Sequence, residues 1–386
     1  MQRFGQVVAR TARGCGNSAW HVRLLSATAA GKPYILGIET SCDDTAAAVL
    51  DASGRVLSHV VSSQWELNAQ WKGIVPGLAA RAHAQNLPHV VSEALRQSGL
   101  SGPEQLEAVA VTRGPGLAPC LDVGLTTAKQ LAIDHGLQFV EVNHLEAHVL
   151  VARLPELELN HASRFPFLVL LVSGGHCCLV LAKGVGDYEL LGSTVDDSVG
   201  EAFDKVARML DLPLDQGVHG GKLIEDMARL GNDRAFAFPE SMKHRKDCDF
   251  SYSGMKTAMM RELAKLGNLD ERTKQDLCAS FQRRAVDQLL TRTRRASEWA
   301  RERTTSDFNT LVICGGVAAN AYIRDRMLQL GQEEALDIVF PPPRYCTDNG
   351  VMIAWAGLER IRAGVSNDPV TARYQPRWPL ETLTPL

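Results

Sequence analysis

Two stretches of the chain repeat one order of strands, loops and helices, and this repeat constrains the fold more than any single motif. In the first stretch, Tyr34–Ile38 is a short apolar strand running into Glu39-Thr-Ser-Cys-Asp-Asp-Thr45. Ala46–Leu50 and Arg55–Ser62 read as a hairpin about the turn Asp51-Ala-Ser-Gly54. An irregular stretch with Trp65, Trp71 and Pro76 follows, then helical periodicity over Leu78–Gln97. A strand over Leu106–Thr112, the loop Arg113-Gly-Pro-Gly116, a helix over Leu121–His135 and a strand over Phe139–Val142 complete the unit. A helix then opens at His144 and runs to about Leu154.

The second stretch begins with the strand Phe167–Val172, which ends in Ser173-Gly-Gly-His176. Its hairpin is Cys177–Ala182 and Tyr188–Ser193 about Lys183–Asp187. Helical segments over Glu201–Leu210, Lys222–Leu230 and Asp276–Arg303 are inserted before the next strand, Asn309–Ile313, which enters Cys314-Gly-Gly316. A helix over Ala318–Leu330, a strand over Asp337–Phe340 and a last helix from Thr347-Asp-Asn-Gly350 to about Ile361 close the repeat. Strands alternating with helices, twice over, predict a duplicated α/β unit in two lobes. The expected division is 34–143 for the first lobe and 144–386 for the second, the last helix returning toward the cleft between them.

Symmetry then makes a geometric claim. His144 and His148 are four apart on one helix, so both rings point at one spot, as a divalent ion requires. The equivalent helix of the second half opens at Asp348. A pseudo-two-fold would bring the carboxylate against the imidazole pair and leave positions open for substrate. Each part has an ordinary reading too: a chain with 11 histidines can hold such a pair by chance, and Thr-Asp-Asn before an apolar helix is a common N-cap.

Three glycine loops follow strands, Gly114-Pro-Gly116, Ser173-Gly-Gly175 and Cys314-Gly-Gly316, and such loops let backbone N–H groups approach a phosphate. At strand ends of a duplicated α/β chain they point to one crevice. Neither a G-x-x-x-x-G-K-[ST] nor a G-x-G-x-x-G is present, which excludes a P-loop and a dinucleotide fingerprint. Asp204 and Glu225, in the inserted helices, could accept ribose hydroxyls or simply face solvent. Lys243-His-Arg-Lys246 and the arginines 283, 284, 292, 294, 295, 301 and 303 could track an RNA backbone, or form a helix laced with ion pairs.

Residues 1–38 contain five basic residues and no acid before Glu39, with Ser and Ala between them; residues 1–33 therefore read as a mitochondrial transit peptide. Its removal leaves 36 basic residues against 44 acidic ones, a net charge near −8, so any contact with nucleic acid must come from a local patch. Nine scattered cysteines without a C-x-x-C pair fit neither a disulfide framework nor a zinc finger and favour a reducing compartment. No apolar run is long enough to span a membrane as a helix.

Seven motifs stand in order: Ile38-Glu-Thr-Ser-Cys-Asp-Asp-Thr45, His144-Leu-Glu-Ala-His148, Leu171-Val-Ser-Gly-Gly-His176, Gly200-Glu-Ala-Phe-Asp-Lys205, Phe250-Ser-Tyr-Ser-Gly-Met-Lys256, Gly315-Gly-Val-Ala-Ala-Asn320 and Cys346-Thr-Asp-Asn-Gly350. From Tyr34 to about Trp378 the chain resembles the tRNA adenosine threonylcarbamoyltransferase family, once misnamed O-sialoglycoprotein endopeptidases, and in particular its mitochondrial type. The resemblance implies the actin/sugar-kinase/heat-shock ATPase fold with an interlobe active site. It implies one divalent metal (Fe, Zn or Mg not distinguished) at His144, His148 and Asp348. It also implies that Leu171, Val172, Ser173, Gly174, Gly175, Asp204, Gly220, Gly221, Glu225, Gly315, Gly316 and Asn320 hold the substrate. That substrate would be threonylcarbamoyl-AMP, supplied by a separate synthase.

The acceptor implied is the adenosine just 3′ of the anticodon in mitochondrial tRNAs reading ANN codons. A homodimer in the mitochondrial matrix, with no membrane attachment, completes the expectation. Asp43 or Asp44 is the candidate general base. Three departures from the family pattern stand out: Asp44 for a common Glu, Cys177 for a common Thr, and a longer Leu212–His219 loop ahead of Gly220, Gly221 and Glu225. A metallopeptidase is the first alternative, but Glu146 lies midway between the histidines, unlike H-E-x-x-H. A sugar kinase or ATPase on the same fold, with Asp43 as base, is the second.

Overall fold

In the first half, the strands are β1 (Tyr34–Glu39), β2 (Asp44–Asp51), β3 (Val56–Ser63), β4 (Ala108–Gly114) and β5 (Gln138–Asn143). Its helices are α1 (Trp65–Trp71), α2 (Pro76–Gln97), α3 (Ala118–His135) and α4 (His144–Leu150). In the second half, the strands are β6 (Phe167–Val172), β7 (Cys177–Gly184), β8 (Asp187–Ser193), β9 (Thr310–Cys314) and β10 (Asp337–Val339). Its helices are α5 (Val199–Met209), α6 (Gly220–Ala228), α7 (Ser253–Leu266), α8 (Glu271–Arg303), α9 (Ala321–Glu334), α10 (Pro343–Cys346) and α11 (Gly350–Arg362). This computed structural model describes residues 34–71, 73–157, 164–214, 218–304 and 308–386, so the leader expected over 1–33 lies outside the described residues.

The two sheets have one topology, β3-β2-β1-β4-β5 and β8-β7-β6-β9-β10. In each, the hairpin strands pair antiparallel and the other two pair parallel with the first strand and with each other. The duplication expected from the sequence is therefore present strand for strand. Helical crossovers join the parallel strands, since a short hairpin turn cannot connect a parallel pair. Strands β1 and β6 are buried almost throughout because helices cover both faces of each sheet, which explains their unbroken apolar runs.

The last helix does not stay in the half that encodes it. Val351, Met352, Ile353, Trp355, Leu358 and Ile361 of α11 join Ile35, Ala48, Leu50, Ala110 and Val140 in one core, on the first sheet. Each such apolar side chain contributes roughly 1.5–3 kcal/mol on full burial. The approach is close enough to demand glycine: a Cβ on Gly37 would overlap the Gly350 carbonyl and stand 2.8 Å from Ala354 Cα. Helix α4 is shared in the same way. Ala147 and Leu150 pack with the first-sheet core, while Val149 packs with Phe167, Val169 and Val312 of the second. Trp355 Nε1 donates to the Leu150 carbonyl at 2.9 Å, tying the two helices together. Both helix starts consequently lie where the lobes meet.

No helix among the described residues is long and apolar enough to cross a membrane. The stretch from Trp65 that reads as irregular in the sequence forms α1, and Ser253–Leu266 adds a helix not anticipated there.

Candidate metal centre and interlobe cleft

Each half supplies one side of the centre through a capped helix. The Asn143 side chain accepts from Leu145 N at 2.9 Å and Glu146 N at 3.3 Å, fixing the start of α4 with His144 as its first residue. At α11 the cap is Asn349, which accepts from Met352 N at 2.9 Å. Asp348 is thus not the N-cap; its carboxylate turns instead to the histidines. His148 Nε2 lies 3.1 Å and His144 Nε2 3.5 Å from Asp348 Oδ1. The donor atoms of His144, His148 and Asp348 all fall within 4.8 Å of one another. The rings meet edge to face, with centroids 4.7 Å apart.

A fourth group, Glu39 at the end of β1, holds this arrangement. Fully buried, it accepts from Thr112 Oγ1 at 2.6 Å and lies 3.0 Å from His144 Nδ1; Ser41 N also donates to it. A carboxylate against Nδ1 fixes the ring with a proton on that nitrogen and aims Nε2 outward. A neutral ring so held directs a lone pair at Asp348 Oδ1, which is favourable only with a proton or a cation between them. Burial disfavours a charged His144, yet Asp348 and Glu39 outweigh it and raise the group to about 9. Burial likewise opposes ionisation of Asp348, but His144 and His148 hold it well below the usual carboxylate range. His176, its ring 6.1 Å from His144, is pushed down to about 4 by burial and then by the two histidines. Two imidazole nitrogens and one carboxylate oxygen, one ring backed by a second carboxylate, fit a divalent transition metal. Such a donor set is less suited to magnesium, which prefers oxygen.

Glu146, between the two histidines in sequence, faces the other way. It is fully buried and pairs with Arg360 Nη1 of α11 at 2.8 Å, accepting also from Tyr188 Oη at 3.1 Å and Gly186 N at 3.0 Å. Its carboxylate is engaged in joining the halves, so it cannot serve a peptidase as base.

The loops named from the sequence surround the centre to different extents. Leu171 and Val172 have their side chains in the core, leaving only their backbone to offer. Ser173 Oγ accepts from His176 N at 2.9 Å, closing a tight loop, and Ser198 Oγ donates to the Gly174 carbonyl at 2.6 Å. Gly174 and Gly175 themselves face open space. Gly315, with φ of +91°, sits so close that a Cβ would overlap the Val172 carbonyl, and Gly316 lies beside Thr347.

Asp204 meets the N-terminus of α6, where Gly220 and Gly221 N–H donate to it; burial nonetheless raises its carboxyl. His219, just before α6, stacks edge-on against Trp65 of the first lobe at 5.1 Å, bridging the cleft. Glu225 and Asn320 form a further cluster. Glu225 Oε1 accepts from Ala321 N at 2.9 Å, while Asn320 caps α9 and donates to Gln282 Oε1 at 3.0 Å. Their polar groups are already engaged in joining helices.

Asp44 opens β2 and Asp43 ends the loop before it, at the edge of the cleft. Asp43 accepts from Asn68 Nδ2 at 2.7 Å and is raised by burial and by Asp348. Asp44 is raised to about 7, by burial and then by the charge of Asp43. The loop between β1 and β2 is supported from behind by buried His83. Its Nε2 faces the Cys42 carbonyl at 3.0 Å and must donate, so Nδ1 accepts from Thr45 Oγ1 at 2.8 Å.

The basic helix resolves into its structural alternative. Arg292 is buried and donates to the carbonyls of Met242, Arg245 and Asp247. Arg294 and Arg301 pair with Glu333 and Glu334, and Arg303 with Glu189. Sequence reasoning missed Glu39, His83 and His219. A lone acid terminating an otherwise apolar strand was the available signal for Glu39.

The fold and the centre define a two-lobed α/β protein of the actin/sugar-kinase/heat-shock ATPase type, carrying two histidines and an aspartate gathered between its lobes. About half of full-length HypF shares this fold, matched with a TM-score of 0.55 at 13% identity over 86% of this chain and 47% of that one. Residues 55–355 match the TsaD (tRNA N6-adenosine threonylcarbamoyltransferase) family, and the chain belongs to it. Proteins named tRNA N6-adenosine threonylcarbamoyltransferase are 46% identical in Granulibacter bethesdensis (90% of this chain, 93% of that one) and 48% in Methylocapsa acidiphila (90% and 96%). An Arabidopsis thaliana protein named "Probable tRNA N6-adenosine threonylcarbamoyltransferase, mitochondrial" is 46% identical over 90% of this chain and 74% of its own length.

Proposed function

We propose that this chain transfers the threonylcarbamoyl group from threonylcarbamoyl-AMP to N6 of the adenosine 3′ of the anticodon in mitochondrial tRNAs reading ANN codons, releasing AMP. The observation that carries the reading is the meeting of His144, His148 and Asp348 within 4.8 Å, in a chain of this family. The leader composition and the mitochondrial naming of the Arabidopsis relative support a mitochondrial matrix location. A separate synthase supplies the adenylate, and the chain works as a homodimer.

His144, His148 and Asp348 hold one divalent transition metal, with Glu39 orienting His144. Once bound, that ion supplies Lewis acidity toward substrate oxygens. The Ser173–Gly175 loop and Gly315-Gly316 cradle the phosphate through backbone N–H groups, and Asp204 beside Gly220 and Gly221 lies where a ribose can be met. The N6 amine adds to the carbamoyl carbonyl carbon, the carbon–oxygen bond to phosphate breaks, and AMP departs with the electron pair. The amine proton passes to Asp44, a carboxyl that burial and then the charge of Asp43 push up to about 7, suited to a base working near neutral pH.

The test is a reconstituted reaction of chain, synthase, threonine, bicarbonate, ATP and unmodified tRNA, followed by nucleoside mass spectrometry. Modified adenosine forms with the wild type and not with His144→Ala/His148→Ala; full turnover by the double variant contradicts the reading.

A further inference from the structure

With the arginines of α8 taken up by ion pairs and carbonyls, and the chain net acidic, cationic surface for an RNA must come from elsewhere. One segment offers it beside the cleft. Residues 369–380 carry Arg373 and Arg377 with Tyr374 between them and no acid. Their backbone is strapped to the first lobe at several points. Gln375 N donates to the Arg113 carbonyl at 2.8 Å, Gly116 N to the Pro376 carbonyl at 3.2 Å, and Asn143 Nδ2 to the Trp378 carbonyl at 3.0 Å. A Cβ on Gly114 would overlap the Gln375 carbonyl, so the contact is built for glycine. Arg113 lies over the Trp378 ring at 5.0 Å and pairs with Glu141, completing the anchor.

These anchors are the neighbours of the centre. Asn143 is the cap that precedes His144, and Gly116 packs on Ser41, whose hydroxyl is 3.2 Å from His144 Nδ1. Backbone polar groups therefore face inward, while Tyr374, a residue 41% exposed, and the exposed Arg377 make no side-chain hydrogen bond or ion pair among the described residues. An anchored strap presenting an exposed tyrosine and, three residues on, an exposed arginine matches the way unpaired RNA is held, by base stacking and phosphate pairing. An apolar or acidic protein partner would leave one of the two unmatched.

We propose that the strap Arg373–Trp378 is an RNA-docking rim, on which Tyr374 stacks with an anticodon-loop base and Arg377 pairs with a loop phosphate. The proposal rests on the tRNA acceptor reading above and adds to it the surface that presents the loop to the centre. Fixing the loop there costs little ordering, because the strap is already immobilised by its backbone contacts.

The experiment measures binding of full-length wild type, Tyr374→Ala, Arg377→Ala and Lys246→Ala to unmodified ANN-reading tRNA and to its anticodon stem-loop, at several salt concentrations. Lys246 is exposed on the other basic segment and serves as the control. Tyr374→Ala weakens binding about tenfold or more with the salt dependence unchanged. Arg377→Ala weakens it and reduces the salt slope by about one. Both raise KM for tRNA while kcat at saturating tRNA and the melting temperature stay at wild-type values, and Lys246→Ala changes nothing. Wild-type binding by both strap variants, or an equal loss in Lys246→Ala, overturns the rim. A wild type that modifies no tRNA overturns instead the transfer reading beneath it.

Discussion

Replacing Glu39 by Gln is the perturbation that probes the centre without touching a proposed ligand. The native carboxylate receives three donors, Thr112 Oγ1 at 2.6 Å, His144 Nδ1 at 3.0 Å and Ser41 N. A carboxamide has one acceptor oxygen and one donor nitrogen, so it cannot satisfy all three. If its oxygen turns to Ser41, its amide nitrogen faces His144, and the ring must shift its proton to Nε2, losing the lone pair aimed at Asp348. If its oxygen turns to His144, two buried N–H groups confront each other. Either way a charge-assisted hydrogen bond worth about 1.5–3 kcal/mol is lost. At about 1.4 kcal/mol per decade, that weakens metal binding roughly 10- to 100-fold, the range seen for carboxylates behind ligating histidines. Competition with a calibrated chelator measures the affinity, and nitrogen chemical shifts of His144 report which ring nitrogen carries the proton. Glu39→Gln binding metal as tightly as wild type, with the His144 tautomer unchanged, refutes the positioning argument.

Asp44 gives a pH signature. A carboxyl raised from 3.8 to about 7 binds more protons folded than unfolded, so its contribution to stability falls as pH rises from about 4 to about 7. The transfer rate rises across the upper part of that window, and Asp44→Asn removes the rise; a pH profile at saturating substrates checks both. Glu146→Gln strips Arg360 of its buried partner and lowers unfolding free energy by about 3–5 kcal/mol in denaturant titrations, a structural loss that a peptidase base would not show. Gly37→Ala drives a Cβ into the backbone of α11, lowering the melting temperature by the equivalent of about 1–3 kcal/mol, and with it metal loading, since α11 carries Asp348 to the cleft. An unchanged melting curve speaks against that packing.

The duplication was readable because each sheet is buried on both faces, so its strands stand out as apolar runs, and each half keeps the same order of turns and helices. Matching the two halves was enough to put His144 and Asp348 at equivalent helix starts. What pattern reading could not supply was direction. Whether Asp348 or Asn349 caps α11 depends on a backbone turn of one residue, and both side chains suit a cap. Glu146 looks exposed to chemistry beside two histidines, yet the helical period turns it to Arg360 and Tyr188 on elements far along the chain. Glu39 acts through Thr112 and His144, partners that only the sheet brings together. The arginines of α8 look free in the sequence because their partners, Glu333, Glu334 and Glu189, arrive from distant segments. Helix α1 was hidden by its length of only 7 residues, too short for periodicity to register.

Element-specific mass spectrometry on the purified chain, run beside His144→Ala/His148→Ala, addresses the centre most directly. The expected result is a stoichiometric transition metal in the wild type and none in the double variant, with both chains folded by circular dichroism. Equal metal in the two samples would contradict it.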